Sequence, residues 1–598
     1  MGYNFKSRDE IDQKYKWNLE KVFSSDEELQ KKIEEIESLT EKFKTYKGRV
    51  SESADTIVEI LNLYETIGIN FGLVSTYISN RFNEDNRDAK YQALSDKLSS
   101  LYTNYSAASA YFIPEILSSD VKKLQSFIDQ KEELKIYGRW LENILRYKPH
   151  TLSESEEGII ASLSPVLSAG QKSFSMLTVA DMKFPMVNVD GKDVQLTSGN
   201  FVPLLTEANV DDRKEVFEAY YKTYQDHINT LASTLDANTK SIAIEAKLRK
   251  YNSAREAALF ANKIPVSVYD QLLDTVGKNI TELHDYVDVR KKVLGLEKIH
   301  MYDVYKNLVE DMDINYTFEE AKEMILDALK PLGEKYVNDL INGFESRWCD
   351  VYETPGKRGG AYSSGSYKTD PYILLNYHGT LDDVFTVAHE MGHSMHSLYS
   401  RGNQPYVYSG YSIFVAEVAS TMNESLLTFY LLDKWKDDPK KKMYILNHFM
   451  DSIKGTLFRQ TQFAEYEKEI YEAYESGVAL TPDFLSKKYE EINKKYYGPT
   501  MEDDDYIKYE WARIPHFYYD FYVYQYATGI SAALSFAKRV LNGGEKERDM
   551  YLQFLQSGSS LDPIDVLKRA GVDMNSPQPI QDAIDLFKEF KDEFKKLI

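Results

Sequence analysis

His389-Glu390-Met391-Gly392-His393 is the segment of this chain with the clearest capacity for chemistry. On a helix, His389 and His393 stand four residues apart on one face, where two imidazoles can converge on one metal ion. Glu390 lies about 100° around the helix from His389, beside such an ion without ligating it. From there a carboxylate can take a proton from an activated water and hand it to a leaving amine. With 10 His among 598 residues, a chance HExxH is an event of about 1 % over the chain.

A catalytic zinc needs three protein ligands and one open position. A further His ten residues after His389 would supply the third, but Met395 and Tyr399 occupy the positions that extended motif requires. His396 shares the face of His393, yet three ligands on one straight helix cannot surround a metal. A second helix is the simplest source. Ser412–Phe429 carries two acids seven apart, Glu417 and Glu424, which two helical turns place on one side. One can ligate while the other orients a histidine. Glu417 sits in the apolar run FVAEVA, where a buried carboxylate needs a partner.

The elements that position these residues read as helices. Asp382 and Asp383 suit a helix start, facing its dipole, and the apolar spacing is helical from Asp26 to Thr103 and again from Asp211. Two islands break the pattern. Phe184–Thr197 alternates around Asp190-Gly191, a hairpin signal. Val351–Gly379 is rich in Gly and Ser and closes on Pro371–Tyr377, which reads as a strand whose opening proline suits a sheet edge. A peptide could add to that edge through main-chain hydrogen bonds and lie across the metal. Tyr372, Leu374 and Asn376 would then contact it, with Gly359 and Gly360 permitting close backbone approach. Everything after Leu381 is helical by pattern. The texture marks three blocks: a helical region over 1–110, a helical stretch ending in the hairpin over 111–200, and the metal-bearing remainder, 201–598.

Composition narrows the partners. The chain carries 72 basic and 94 acidic side chains, a net charge of −22, which argues against nucleic-acid binding. One cysteine, Cys349, leaves neither a disulfide nor a thiolate zinc site to build. The N-terminal residues lack an apolar signal region and no run approaches 18 consecutive apolar residues, so the expectation is a cytoplasmic protein with no membrane partner. Few breakers, 29 Gly and 17 Pro, favour long helices.

Several segments together resemble one family. GKRGGAYSSG, PYILLNYHGTLDDVFTVAHEMGHSMHS, FVAEVASTMNESLL, FRQTQFAEYE and RIPHFYYDFYVYQYATGIS are similar to the oligoendopeptidase F branch of the thimet oligopeptidase (M3) zinc metallopeptidases, over nearly the whole chain and in the family's order. The resemblance implies a mostly α, multi-helix, two-lobed ellipsoid with a deep central channel and a small β-sheet beside the HExxH helix. It implies one Zn2+ per chain, held by His389, His393 and Glu417, with Glu390 as general base and acid, and Glu424 is left to orient a histidine. It also implies a His and tyrosines that hydrogen-bond the tetrahedral oxyanion: His516, foremost Tyr524, and, among Tyr518, Tyr519 and Tyr522, the pair Tyr519 and Tyr522. Arg459 and Gln460 would be structural or support the residues of the site from behind. The function so implied is cleavage of internal bonds in short unstructured peptides. An exopeptidase of the same zinc class and a non-enzymatic helical scaffold are the competing readings.

Overall fold

The structure is a computed structural model that describes residues 5–309 and 315–598. It is mostly helical, with one two-stranded and one three-stranded sheet among the described residues. By contact the chain forms two compact units, each assembled from three stretches: 1–149, 314–430 and 536–571 in one, 150–313, 431–535 and 572–598 in the other. This division cuts across the sequential blocks expected from texture.

In the first unit, helices α1 (Asp26–Lys44), α2 (Ala54–Glu84) and α3 (Ala89–Ser109) pack side by side. Ser25 and Ser53 cap α1 and α2 by accepting the amides of Glu28 and Thr56. By length and composition α2 could cross a membrane, but Ile57, Ile60, Ile67, Phe71, Val74 and Ile78 are buried in the core of this unit. The hairpin lies in the second unit, where β1 (Met186–Val189) pairs antiparallel with β2 (Lys192–Gln195). Asp190 and Gly191 both take positive φ, 51° and 76°, as a two-residue turn between twisted strands requires.

The three-stranded sheet of the first unit consists of β3 (Cys349–Asp350), β4 (Tyr362–Ser364) and β5 (Tyr372–Leu374) in the order β3-β5-β4. β5 runs parallel to β3 and antiparallel to β4. The expected edge strand is therefore the central one. Pro371 precedes it, so no ladder hydrogen bond is lost to proline. The N-terminal stretch closes over the sheet: Trp17 Nε1 donates to the Ile373 carbonyl (2.8 Å) and Tyr372 OH to that of Asn18 (3.1 Å). From β5 the chain leads into α4 (Leu381–Asn403), which packs against β4 and β5. Thr380 accepts the Asp383 amide, and the Asp383 carboxylate accepts that of Thr380, a reciprocal cap.

One helical expectation fails. His516–Val523 is not an α-helix: a 3-10 turn over Pro515–Tyr518 is followed by Asp520 and Phe521, both in the left-handed region at φ 50° and 57°, and the next helix, Tyr524–Gly543, begins only after them. Aromatic spacing alone does not register such a kink.

Candidate active site

Two helices carry the candidate metal centre, whose side chains all lie in the first unit. α4 presents His389 and His393, and α5 (Ile413–Lys434) presents Glu417 and Glu424. Glu417 Oε2 lies 3.4 Å from His389 Nε2 and 3.4 Å from His393 Nε2, and the three ligand atoms fall within 4.8 Å of one another. Two ligands held about 2.0–2.1 Å from one tetrahedral ion are separated by roughly 3.3–3.4 Å. The donor set therefore fits a divalent metal. Burial opposes protonation of His389, but the Glu417 and Glu424 carboxylates outweigh it and push its pKa up to about 10. Burial would likewise raise Glu417, and the two imidazoles hold it well below the usual carboxylate range instead. A donor set that draws protons this strongly also suits a cation.

The supporting contacts are as specific as the ligands. Glu424 Oε1 accepts from His389 Nδ1 at 2.5 Å, which fixes the tautomer and leaves Nε2 free to ligate. Ser420 Oγ donates to Glu417 Oε2 (3.0 Å). Asn423 Nδ2 donates to the Ala388 carbonyl (3.0 Å), and Tyr336 OH donates to Asn423 Oδ1 (3.1 Å). Gly392 lets the helices meet, for a Cβ there would lie 2.5 Å from the Ala419 carbonyl oxygen. Sequence reading missed Gly392, Asn423, Ser420 and Tyr336. A glycine inside a helical pattern was the available signal for the first. His396 is buried and stacks on Tyr411 at 3.7 Å, away from ligation.

Glu390 is buried, and burial raises its pKa above the ordinary value. The nearby Ser363 amide of β4 opposes that rise, while Oε2 makes no hydrogen bond. Ser363 Oγ also pairs with Ser394 Oγ at 2.8 Å, tying β4 to α4. Ser363 faces Ile373, whose amide donates to Trp348 on the opposite side of β5. The pair is thus the non-hydrogen-bonded kind, so the Ser363 amide and carbonyl point to the open edge of the sheet.

The expected substrate strand needs correction. Tyr372 and Leu374 are buried in the centre of the sheet and cannot receive a peptide. Asn376 donates to the Arg358 and Gly360 carbonyls (3.0 and 2.8 Å) and braces the loop before β4. Gly359 and Gly360 are exposed, with open space where a Cβ would stand.

In the second unit, His516, Tyr522 and Tyr526 assemble. The His516 ring lies 6.2 Å from Tyr522 at 21° and 6.0 Å from Tyr526, and Tyr522 meets Tyr526 edge-on at 5.3 Å. Tyr519 is 45 % exposed and Tyr524 only 2 %. Tyr524 packs on Tyr269 at 5.1 Å; this core position corrects its place as the foremost oxyanion donor. Arg459 donates to Glu510 Oε1 at 2.6 Å inside a buried ion network, as a structural residue would.

The family model described as Peptidase family M3 matches residues 204–586, and that described as Oligopeptidase F matches 115–184. The chain belongs to peptidase family M3. This M3 chain is similar to oligopeptidase PepF of Bacillus subtilis, 48 % identical over 99 % of this chain and 88 % of that protein. It is also similar to group B oligopeptidase PepB of Streptococcus agalactiae, 42 % identical over 99 % and 98 %. A crystal structure of oligoendopeptidase-F from Enterococcus faecium matches 96 % of this M3 chain and 99 % of its own, at 36 % identity and a TM-score of 0.74.

Proposed function

We propose that this M3 metallopeptidase is a zinc-dependent endopeptidase that cleaves internal bonds of short unstructured oligopeptides in the cytoplasm. The observation that carries the reading is the meeting of His389 Nε2, His393 Nε2 and Glu417 Oε2 beside the unpartnered Glu390 Oε2. When bound, zinc would supply Lewis acidity to the scissile carbonyl and to the attacking water.

The chain's own residues do the rest. Glu424 holds His389 with Nε2 outward. The Glu390 carboxylate, next in sequence to His389, takes a proton from the water and returns it to the departing amine nitrogen. A peptide adds antiparallel or parallel to the open side of β4, where the Ser363 carbonyl accepts its main-chain N–H. Hydrogen bonds to backbone are indifferent to side chains, which suits a peptidase of mixed oligopeptides. On the family resemblance, His516, Tyr519 and Tyr522 donate to the oxyanion. A neutral phenol does so without any change of charge.

Purified enzyme is tested on an internally quenched peptide blocked at both ends, with metal content measured in parallel. Internal cleavage, abolished by chelator and restored by zinc, is expected. Failure to cut a blocked peptide while trimming free-ended ones would replace the reading with an exopeptidase.

A further inference from the structure

The kink that brings His516 onto Tyr522 is backbone the sequence has little reason to adopt. Asp520 and Phe521 both hold positive φ, a region that is strained for a residue other than glycine. Phe521 is buried, its ring against Tyr471 at 4.7 Å and Tyr269 at 5.9 Å. Its amide, displaced from any helical ladder by the kink, donates to Glu467 Oε1 at 2.8 Å. Glu467 lies on α6 (Arg459–Glu475) and is wholly buried. Its other oxygen, Oε2, makes no hydrogen bond. A buried carboxyl that satisfies one backbone amide and leaves an oxygen idle is a poor choice for stability alone. Where a local rule is broken in this way, function is a usual beneficiary.

We propose that Glu467 is a positioning residue: its Oε1 pins the Phe521 peptide in the left-handed conformation and thereby holds His516 and Tyr522 in one array. The inference rests on the reading of His516 and Tyr522 as oxyanion donors. Glu467 is not among the converging metal-ligand candidates and acts through the 520–521 kink. Burial raises its pKa to about 8, and the neighbouring Asp520 carboxylate adds to the rise, so at neutral pH the acceptor is largely a neutral carboxyl. An amide oxygen of the same shape can replace it.

The test compares Glu467→Gln, which keeps the acceptor, with Glu467→Met, which keeps the shape and loses it. Glu467→Gln is expected to keep kcat within about twofold, and Glu467→Met to lower kcat about 10–100-fold at unchanged KM and metal content. Amide exchange of a peptide covering residues 519–524 should quicken in Glu467→Met and stay slow in Glu467→Gln. Equal loss in both variants, wild-type kcat in Glu467→Met, or fast exchange in a fully active Glu467→Gln overturns the proposal. If Glu467→Met does not fold, the kcat and exchange of Glu467→Gln decide. His516→Ala and Tyr522→Phe are measured alongside. Wild-type kcat in both removes the oxyanion reading, whereas their loss beside an unaffected Glu467→Met removes only the role of Glu467.

Discussion

The metal centre and the His516–Tyr524 segment are held in place by opposite means. The first rests on two regular helices: the ligands follow from helical spacing, the caps are reciprocal, and a single glycine, Gly392, lets the helices touch. The second rests on a break in regularity, two left-handed residues anchored by an aromatic socket and one buried carboxyl. Regular backbone positions groups by geometry alone, at no cost in strain. Irregular backbone positions them only if something else offsets the strain. The helix pair is thus expected to tolerate changes that spare its contact, and the kink to fail when its anchor is lost.

The sharpest attack on the helical half is Glu390→Gln. Removing a general base lowers rate by about 10²–10⁴-fold, and in the proposed mechanism Glu390 serves twice, so a fall near the upper end is expected. Metal content should not change, because Glu390 is not among the converging ligands. Activity within tenfold of wild type would place the proton on another group.

The next effect is on stability and concerns the irregular half. Glu467 has a folded-state pKa of about 8, whereas an unfolded glutamate titrates near about 4.3. Its contribution is therefore fully present below about pH 4 and lost as pH rises towards 8, since only the unfolded chain ionises over that window. The groups facing it, Tyr269, Tyr471 and Asp520, bring no positive charge to offset this. Glu467→Gln has no proton to lose. Its melting temperature relative to wild type should climb between pH 5 and pH 8, corresponding at most to roughly 3–5 kcal/mol. A constant difference would show that the carboxyl titrates normally.

These two halves also differ in how far they were legible beforehand. His389, Glu390, His393 and the paired acids Glu417 and Glu424 could be found because helical periodicity converts spacing directly into direction. Asp190-Gly191 was legible because its turn demands residues that accept positive φ. The kink at Asp520-Phe521 was not, for neither residue favours the conformation and its cause, Glu467, lies more than fifty positions upstream. Sheet order was hidden for a related reason. Whether β5 is central depends on β3 and β4, two- and three-residue strands that carry no period of their own. Tyr372 and Leu374 were placed at the edge on the strength of Pro371, a residue that precedes the strand.

Smaller effects test the helix contact. Glu424→Ala removes the acceptor that fixes the His389 tautomer, and loss of such a partner lowers metal affinity about 10–100-fold, readable by competition with a chromogenic chelator. Gly392→Ala would push a methyl onto the Ala419 carbonyl; the helices must separate, at a cost of about 1–3 kcal/mol in thermal unfolding and with weaker metal binding. A variant that binds metal as tightly as wild type would show that the close contact is not what sets the ligand spacing.

The smallest expected effect decides which strand meets the peptide. Tyr372 is buried in β5 with its hydroxyl on the Asn18 carbonyl, so Tyr372→Phe loses one hydrogen bond of the interior and nothing at a binding surface. The expected cost is about 1 kcal/mol of stability, with kcat/KM unchanged on a blocked peptide. A proline at Ser363 would also remove the amide whose field acts on Glu390. Tyr372→Phe has no such second consequence. A rise in KM for this variant would return the peptide to β5 and require the sheet to open; an unchanged KM leaves the free edge of β4, beside Glu390, as the place where a substrate backbone can pair.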